Sequence, residues 1–105
     1  MMEILYNVTV HVDASIEEEW KNWMLNKHIP DVMATGKFTR YYFNKVLHKS
    51  EDGSNSYAIQ YHCPSMQQLH AYQVEDAPAL QAEHTQKYQQ KCLAFRTLLE
   101  VIDTK

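Results

Sequence analysis

The residues from Ile4 to Val12 alternate without interruption: Ile4, Tyr6, Val8, Val10 and Val12 fall on one face of an extended chain, and Leu5, Asn7, Thr9 and His11 on the other. A strand with one apolar face and one mixed face needs a sheet beside it and a second layer over it. The next residues supply that layer. Asp13-Ala-Ser15 offers polar caps, and Glu17, Glu18 and Glu19 crowd a first helical turn, where carboxylates meet the positive end of the helix dipole. Ile16, Trp20, Trp23 and Met24 then form an apolar stripe at helical spacing that runs toward Lys27 and His28.

Pro30 lacks a backbone donor and biases Ile29 away from helical geometry, so the helix is expected to end or kink near His28 and to restart with Pro30 in its first turn. Gly36 is its natural stop. A second strand is expected from about Phe38 to Lys49 and a third from about Ser56 to Cys63, joined by the polar Ser50–Asn55 loop as an antiparallel hairpin. Ser65 and Gln68 form a capping-box signature for a helix that turns Leu69, Tyr72 and Gln73 inward. Ala77-Pro78 repeats the proline break, and a further helix runs through Leu80, His84 and Tyr88. The last strand, from about Lys91 to Ile102, puts Leu93, Phe95, Thr97, Leu99 and Val101 on one face and Cys92, Ala94, Arg96, Leu98 and Glu100 on the other. The order βαββαβ specifies an α+β, ferredoxin-like fold, with an antiparallel sheet covered on one side by the helices.

The length of 105 residues fits one domain, spanning 1–105. No apolar run approaches a membrane span and no leader precedes the first strand, so a cytoplasmic protein without membrane contact is expected. Lys and Arg are scattered in a chain of net charge -3, which argues against nucleic acid as a partner. Cys63 and Cys92 lack any paired spacing and read as buried, reduced thiols. No histidine pair has the spacing of a zinc site, so no metal is expected.

In this fold the first strand lies between the third and the last. The sheet face turned from the helices is then expected to gather Leu5, Asn7, Thr9, His11, Ala58, Gln60, His62, Arg96, Leu98 and Glu100. That mixture is too polar for a core and too apolar for a solvated face, and a second copy of the same sheet would cover it, closing a barrel across a two-fold axis. Several segments carry a family resemblance: Trp20-x-x-Trp23-Met24, His28-Ile-Pro-Asp-Val-Met-Ala-Thr-Gly36, Phe38, Tyr61, Ala77-Pro-Ala-Leu80, His84 and Phe95-Arg-Thr-Leu-Leu-Glu-Val101. In them the chain resembles the family called domain of unknown function 4286, within the dimeric α/β-barrel group. The resemblance implies a ferredoxin-like homodimer pairing as a dimeric α/β barrel. The wider group includes cofactor-free monooxygenases, haem-degrading enzymes, isomerases of small cyclic acids and members without known activity.

His28 and Asp31 could act as a general base and its orienting carboxylate, or could instead cap the two halves of the broken helix. His84 and Tyr88, four residues apart, could line the same cleft from the other helical arm or serve equally as half-buried packing residues. Arg96 offers a planar donor for a ligand carboxylate, with a salt bridge to Glu100 or to a partner-chain acid as its alternative. Trp20 and Trp23 could stack on a planar ligand or, at helical spacing beside Met24, serve as core, and Tyr61 is counted among the ligand-binding residues of the cleft. By resemblance, Asn7 matches the position of the polar residue that haem-degrading barrel enzymes place near their reactive oxygen. Those enzymes also need an axial histidine, and neither His70 nor His84 sits in a surrounding motif, so no cofactor is expected. Two functions follow. One is a small-ligand cleft performing cofactor-free oxidation or isomerase-like proton transfer; the other is a non-catalytic dimeric binding or assembly module.

Overall fold

The computed structural model describes residues 3–48 and 50–105. Strands β1 (Ile4–Val12), β2 (Arg40–Lys45), β3 (Asn55–Cys63) and β4 (Cys92–Glu100) form one sheet in the order β2-β3-β1-β4, with every neighbouring pair antiparallel. Helices α1 (Glu17–Trp23), α2 (Ile29–Ala34), α3 (Met66–Glu75) and α4 (Ala77–Tyr88) cover one face. This is the ferredoxin-like α+β architecture. Ile4, Tyr6, Val10 and Val12 are buried under the helices, as the alternation of β1 requires. The β2 strand is shorter than its aromatic content suggests. Phe38 is buried ahead of it and Leu47 is almost fully exposed beyond it, while Lys49, the expected end of the strand, lies outside the described residues.

The two prolines behave differently. Pro78 starts a new helix, with Asp76 at φ -114 marking the break between α3 and α4. Pro30 does not break its helix: a π turn (Met24–His28) joins α1 to α2, and the Ile29 N–H reaches back five residues to the Met24 carbonyl. The wider turn relieves the clash of the proline ring with the preceding turn, and Asn26 Nδ2 donates to the Asn22 carbonyl at 2.8 Å. The helical path therefore runs unbroken through His28.

At α3, Ser65 Oγ accepts from the Gln68 N–H at 3.1 Å, but the Gln68 amide turns away and donates to the Gly36 and Lys37 carbonyls, so only half of the capping box forms. Leu69 and Tyr72 point inward, whereas Gln73 is exposed. Cys63 is buried, but Cys92 is only half-buried at the start of an edge strand; both are free thiols.

The face assignment of β4 is the main correction. Val8 pairs with Arg96, Tyr6 with Leu98 and Ile4 with Glu100, so Arg96, Leu98 and Glu100 share the helix-covered face with the apolar residues of β1. Leu93, Phe95, Thr97 and Leu99 pair with His11, Thr9, Asn7 and Leu5 on the outer face. The strand carries apolar residues at both parities, so alternation alone does not fix which side is inward. The outer face is consequently greasier along β4 than expected, with Leu93 and Phe95 each 57% exposed.

Candidate functional site

The corrected register turns Arg96 into the cleft between helices and sheet. That cleft is also lined by Tyr6 and Tyr61 from the sheet, Met24 and His28 from the π turn, Tyr72 from α3, and Leu80, Gln81 and His84 from α4. Val8, Val10, Val32, Ile59 and Ala94 complete apolar walls. The non-atomic space is about 430 Å³ including the mouth, but the centres of water molecules reach only about 30 Å³ of it, room for about two waters. In this conformation the cleft is nearly closed.

Trp20 organises its chemistry. The indole is fully buried against Phe43 and Tyr57, and its Nε1–H donates to His84 Nε2 at 3.0 Å. An indole nitrogen can only donate, so His84 Nε2 must accept and the neutral ring carries its own proton on Nδ1. Protonating Nε2 would set two donors against each other. Burial lowers the His84 pKa to about 4, with the nearby His28 and Arg96 adding to the effect.

His28 sits 5.7 Å from His84, ring centroid to ring centroid, and stacks on Trp23 at 5.2 Å. Its Nδ1 is buried without a hydrogen-bond partner among the described residues. Burial lowers its pKa to about 4 as well; Asp31 opposes the shift, while Arg96 and Lys27 reinforce it. Both imidazoles are therefore neutral near pH 7. Arg96 is then the single formal charge among the described lining residues, and it enters no ion pair with any described residue, Glu100 included.

Burial pushes the Tyr61 and Tyr72 hydroxyls well above the ordinary tyrosine range, so they remain protonated donors. Gln81 Nε2 donates to Tyr6 Oη at 3.3 Å across the mouth.

Of the residues singled out from sequence, His28, Tyr61, His84 and Arg96 come together. Trp23 touches the site from behind, stacked on His28 and 5.9 Å from His84, as packing rather than lining. Tyr88 lies against Trp23 and does not line the cleft. Asp31 is separated from His28 in role: its carboxylate accepts from Lys27, which also lies 3.6 Å from Glu83, so no His28–Asp31 dyad forms. Asn7 is on the opposite sheet face, where Nδ2 donates to Thr9 Oγ1 at 3.2 Å. It cannot share a site with His84, and His70 is exposed on α3. Sequence reasoning missed Gln81, one helical turn before His84, and the orienting role of Trp20, which is encoded only by the tertiary fold.

A family match decides what the chain is related to: the family described as Domain of unknown function (DUF4286) matches residues 3–102. The chain belongs to that family. No curated protein matches its sequence. Among solved structures it is similar to an ethyl tert-butyl ether d (EthD) family protein of Bacillus halodurans, at 13% identity over 97% of this chain and 100% of that one, with a TM-score of 0.70. It is also similar to SnoaB, a cofactor-independent oxygenase of Streptomyces nogalater, at 12% identity over 97% and 95% of the two chains and a TM-score of 0.68. A third is a dimeric ferredoxin-like protein of unknown function from Thermobifida fusca, at 15% identity over 93% and 92% and a TM-score of 0.61. At these identities the likeness is one of fold.

Proposed function

We propose that this DUF4286 chain is half of a homodimeric α/β barrel whose cleft binds a small organic molecule and removes a proton from it without a cofactor. The observation that carries this reading is the Trp20–His84 hydrogen bond beside the unpartnered His28. It divides two neutral imidazoles between two tasks. His84, locked with its proton on Nδ1, serves as a neutral donor to the oxygen on which charge develops; His28, with an unpartnered nitrogen, takes the proton. An imidazole of pKa about 4 is a weak base in the empty cleft, but negative charge developing between it and Arg96 strengthens it. The same carbanion or enolate could be reprotonated at another atom, as in an isomerase, or add to dioxygen as a peroxide that loses water to leave a carbonyl, the substrate itself supplying the electrons, as in a monooxygenase. The likeness of fold to SnoaB, a cofactor-independent oxygenase, favours the second.

The alternative is a non-catalytic dimeric assembly module; the exposed Leu93 and Phe95 on the outer face support a dimer in either reading. Native mass spectrometry of freshly purified protein, followed by proton NMR of small enolisable cyclic acids incubated with it in D2O, separates the two. A dimer that exchanges deuterium into such a compound, with the rate lost in His28→Gln, supports catalysis. A dimer that carries no adduct and exchanges none leaves assembly as its role.

A further inference from the structure

The cleft has an outer compartment that sharpens what it would take. Beside the nearly closed inner space lies a recess bounded by Gln73, Ala77, Pro78 and Leu98, with about 470 Å³ open to water centres against about 30 Å³ inside. Tyr6, Gln81 and Arg96 line both spaces and so form the threshold between them. With Tyr6 Oη accepting from Gln81, the Tyr6 hydroxyl keeps its own proton free to donate, beside the Arg96 guanidinium, which has no ion-pair partner among the described residues. No described carboxylate or ammonium lines either compartment.

We propose that the ligand is a small organic monoanion, its carboxylate or enolate oxygens held at the threshold by Arg96 and Tyr6 and its flat, apolar body reaching inward past Gln81 toward His28. This rests on the reading of the cleft as a ligand site and adds the class of ligand. The chemistry at the threshold selects against the alternatives. A cation would face Arg96 with no acid to offset it, and a neutral molecule would leave the guanidinium without its planar partner. A phosphate dianion would meet one cation and a few neutral donors, and it has no body to fill apolar walls built by Val8, Val10, Ile59 and Leu80. Binding requires the inner space to widen. The Gln81–Tyr6 contact, a long neutral hydrogen bond at 3.3 Å, is the element that opens.

The test uses the whole protein and three probes: benzoate, the neutral isostere benzamide, and inorganic phosphate, each titrated while amide and aromatic NMR signals are followed. Benzoate is expected to bind about tenfold or more tightly than benzamide, the discrimination a charge-assisted bidentate contact provides, with shifts at Gln81, His28 and Arg96. Arg96 is exposed, so Arg96→Gln should fold normally and bring the two affinities together, and Arg96→Lys should restore part of the preference. Equal binding of benzoate and benzamide, unaltered by Arg96→Gln, overturns the anion assignment and leaves the cleft reading intact. Phosphate binding as tightly as benzoate also overturns it, showing only attraction to an exposed charge. If neither organic probe shifts the cleft signals, both this inference and the cleft reading fall.

Discussion

The two faces of the sheet each carry a pair of histidines, and the pairs are treated oppositely. On the outer face, His62 Nδ1 lies 3.1 Å from Glu3 Oε2, and His11 is held between Ser56, at 3.0 Å from Nδ1, and Ser54 with Asp52 beyond Nε2. On the helix-covered face, His28 and His84 contact aromatic rings and each other, and the nearest acid, Asp31, is engaged by Lys27. The outer rings are fixed by hydrogen bonds to serines and a carboxylate, whereas the inner rings, enclosed by other rings and desolvated, are kept neutral. The outer pair is thus placed to tie strands and loops together, and the inner pair to handle a proton. The same division holds for the apolar residues. Inner ones such as Val10 and Ile59 are buried under the helices, whereas Leu93 and Phe95 on the outer side of β4 are each 57% exposed.

The strongest way to break this contrast is at Trp20. Replacing it with Ala should cost about 3–5 kcal/mol for the cavity, and a further ~1–3 kcal/mol because His84 loses its donor, measured by urea denaturation. Trp20→Phe keeps most of the ring and should cost chiefly the hydrogen bond. A loss below about 1 kcal/mol for Trp20→Ala would mean that the indole is not the hub of the inner face. On the outer face, Phe95→Asp should leave the monomer fold nearly unaltered, since the ring is 57% exposed, yet convert the proposed dimer to monomer in sedimentation velocity. A persistent dimer would show that the sheets do not face each other.

That contrast also explains what the sequence could and could not reveal. The order of elements and the sheet order were legible because β1 alternates strictly and each turn carries its own chemistry, down to Ser65 capping α3. The inward face of β4 was not legible, because Leu93, Phe95, Leu98 and Leu99 present apolar side chains to both sides of an edge strand. The continuity of the helix through Pro30 was hidden too. A proline signals a break, and the π turn that carries the helix past it, with the Ile29 N–H bonded to the Met24 carbonyl, leaves no mark in residue type or spacing. Of the site, His28, Tyr61, His84 and Arg96 could be named from residue type, whereas the Trp20–His84 bond joins residues that only tertiary folding brings together. The expected His28–Asp31 pair failed for a local reason: Lys27, one helical turn before Asp31, takes its carboxylate.

A smaller effect follows from the neutral inner pair. His28 and His84 bind protons more weakly in the folded than in the unfolded chain, their pKa lowered from 6.5 to about 4. The unfolded state therefore takes up protons first, and stability should fall as the pH drops from about 6.5 toward 4 and rise as it is raised again. Glu17, whose pKa is lowered by its hydrogen bonds to Tyr57 and Asn55, adds its own loss only below its ordinary value of 4.5. The upper part of the window thus belongs to the inner histidines. In His28→Gln the slope of melting temperature against pH between about 4.5 and 6.5 should become shallower. An unchanged slope would place the acid sensitivity elsewhere.

The smallest effect distinguishes a structural Asp31 from a catalytic one. The Lys27–Asp31 pair is half-exposed, so Asp31→Asn should change stability by less than about 1 kcal/mol. Its electrostatic effect has a definite sign. Asp31 raises the His28 pKa against the pull of burial, so removing its charge should lower that pKa further, shifting the imidazole titration to more acidic pH in an NMR pH series. Because the carboxylate makes no hydrogen bond to the ring, the ring orientation should be unchanged, and deuterium exchange into a bound substrate should slow only modestly. A loss of exchange as large as that in His28→Gln would instead mean that Asp31 leaves Lys27 to orient His28 when the cleft is occupied, giving the inner pair an acid like those on the outer face.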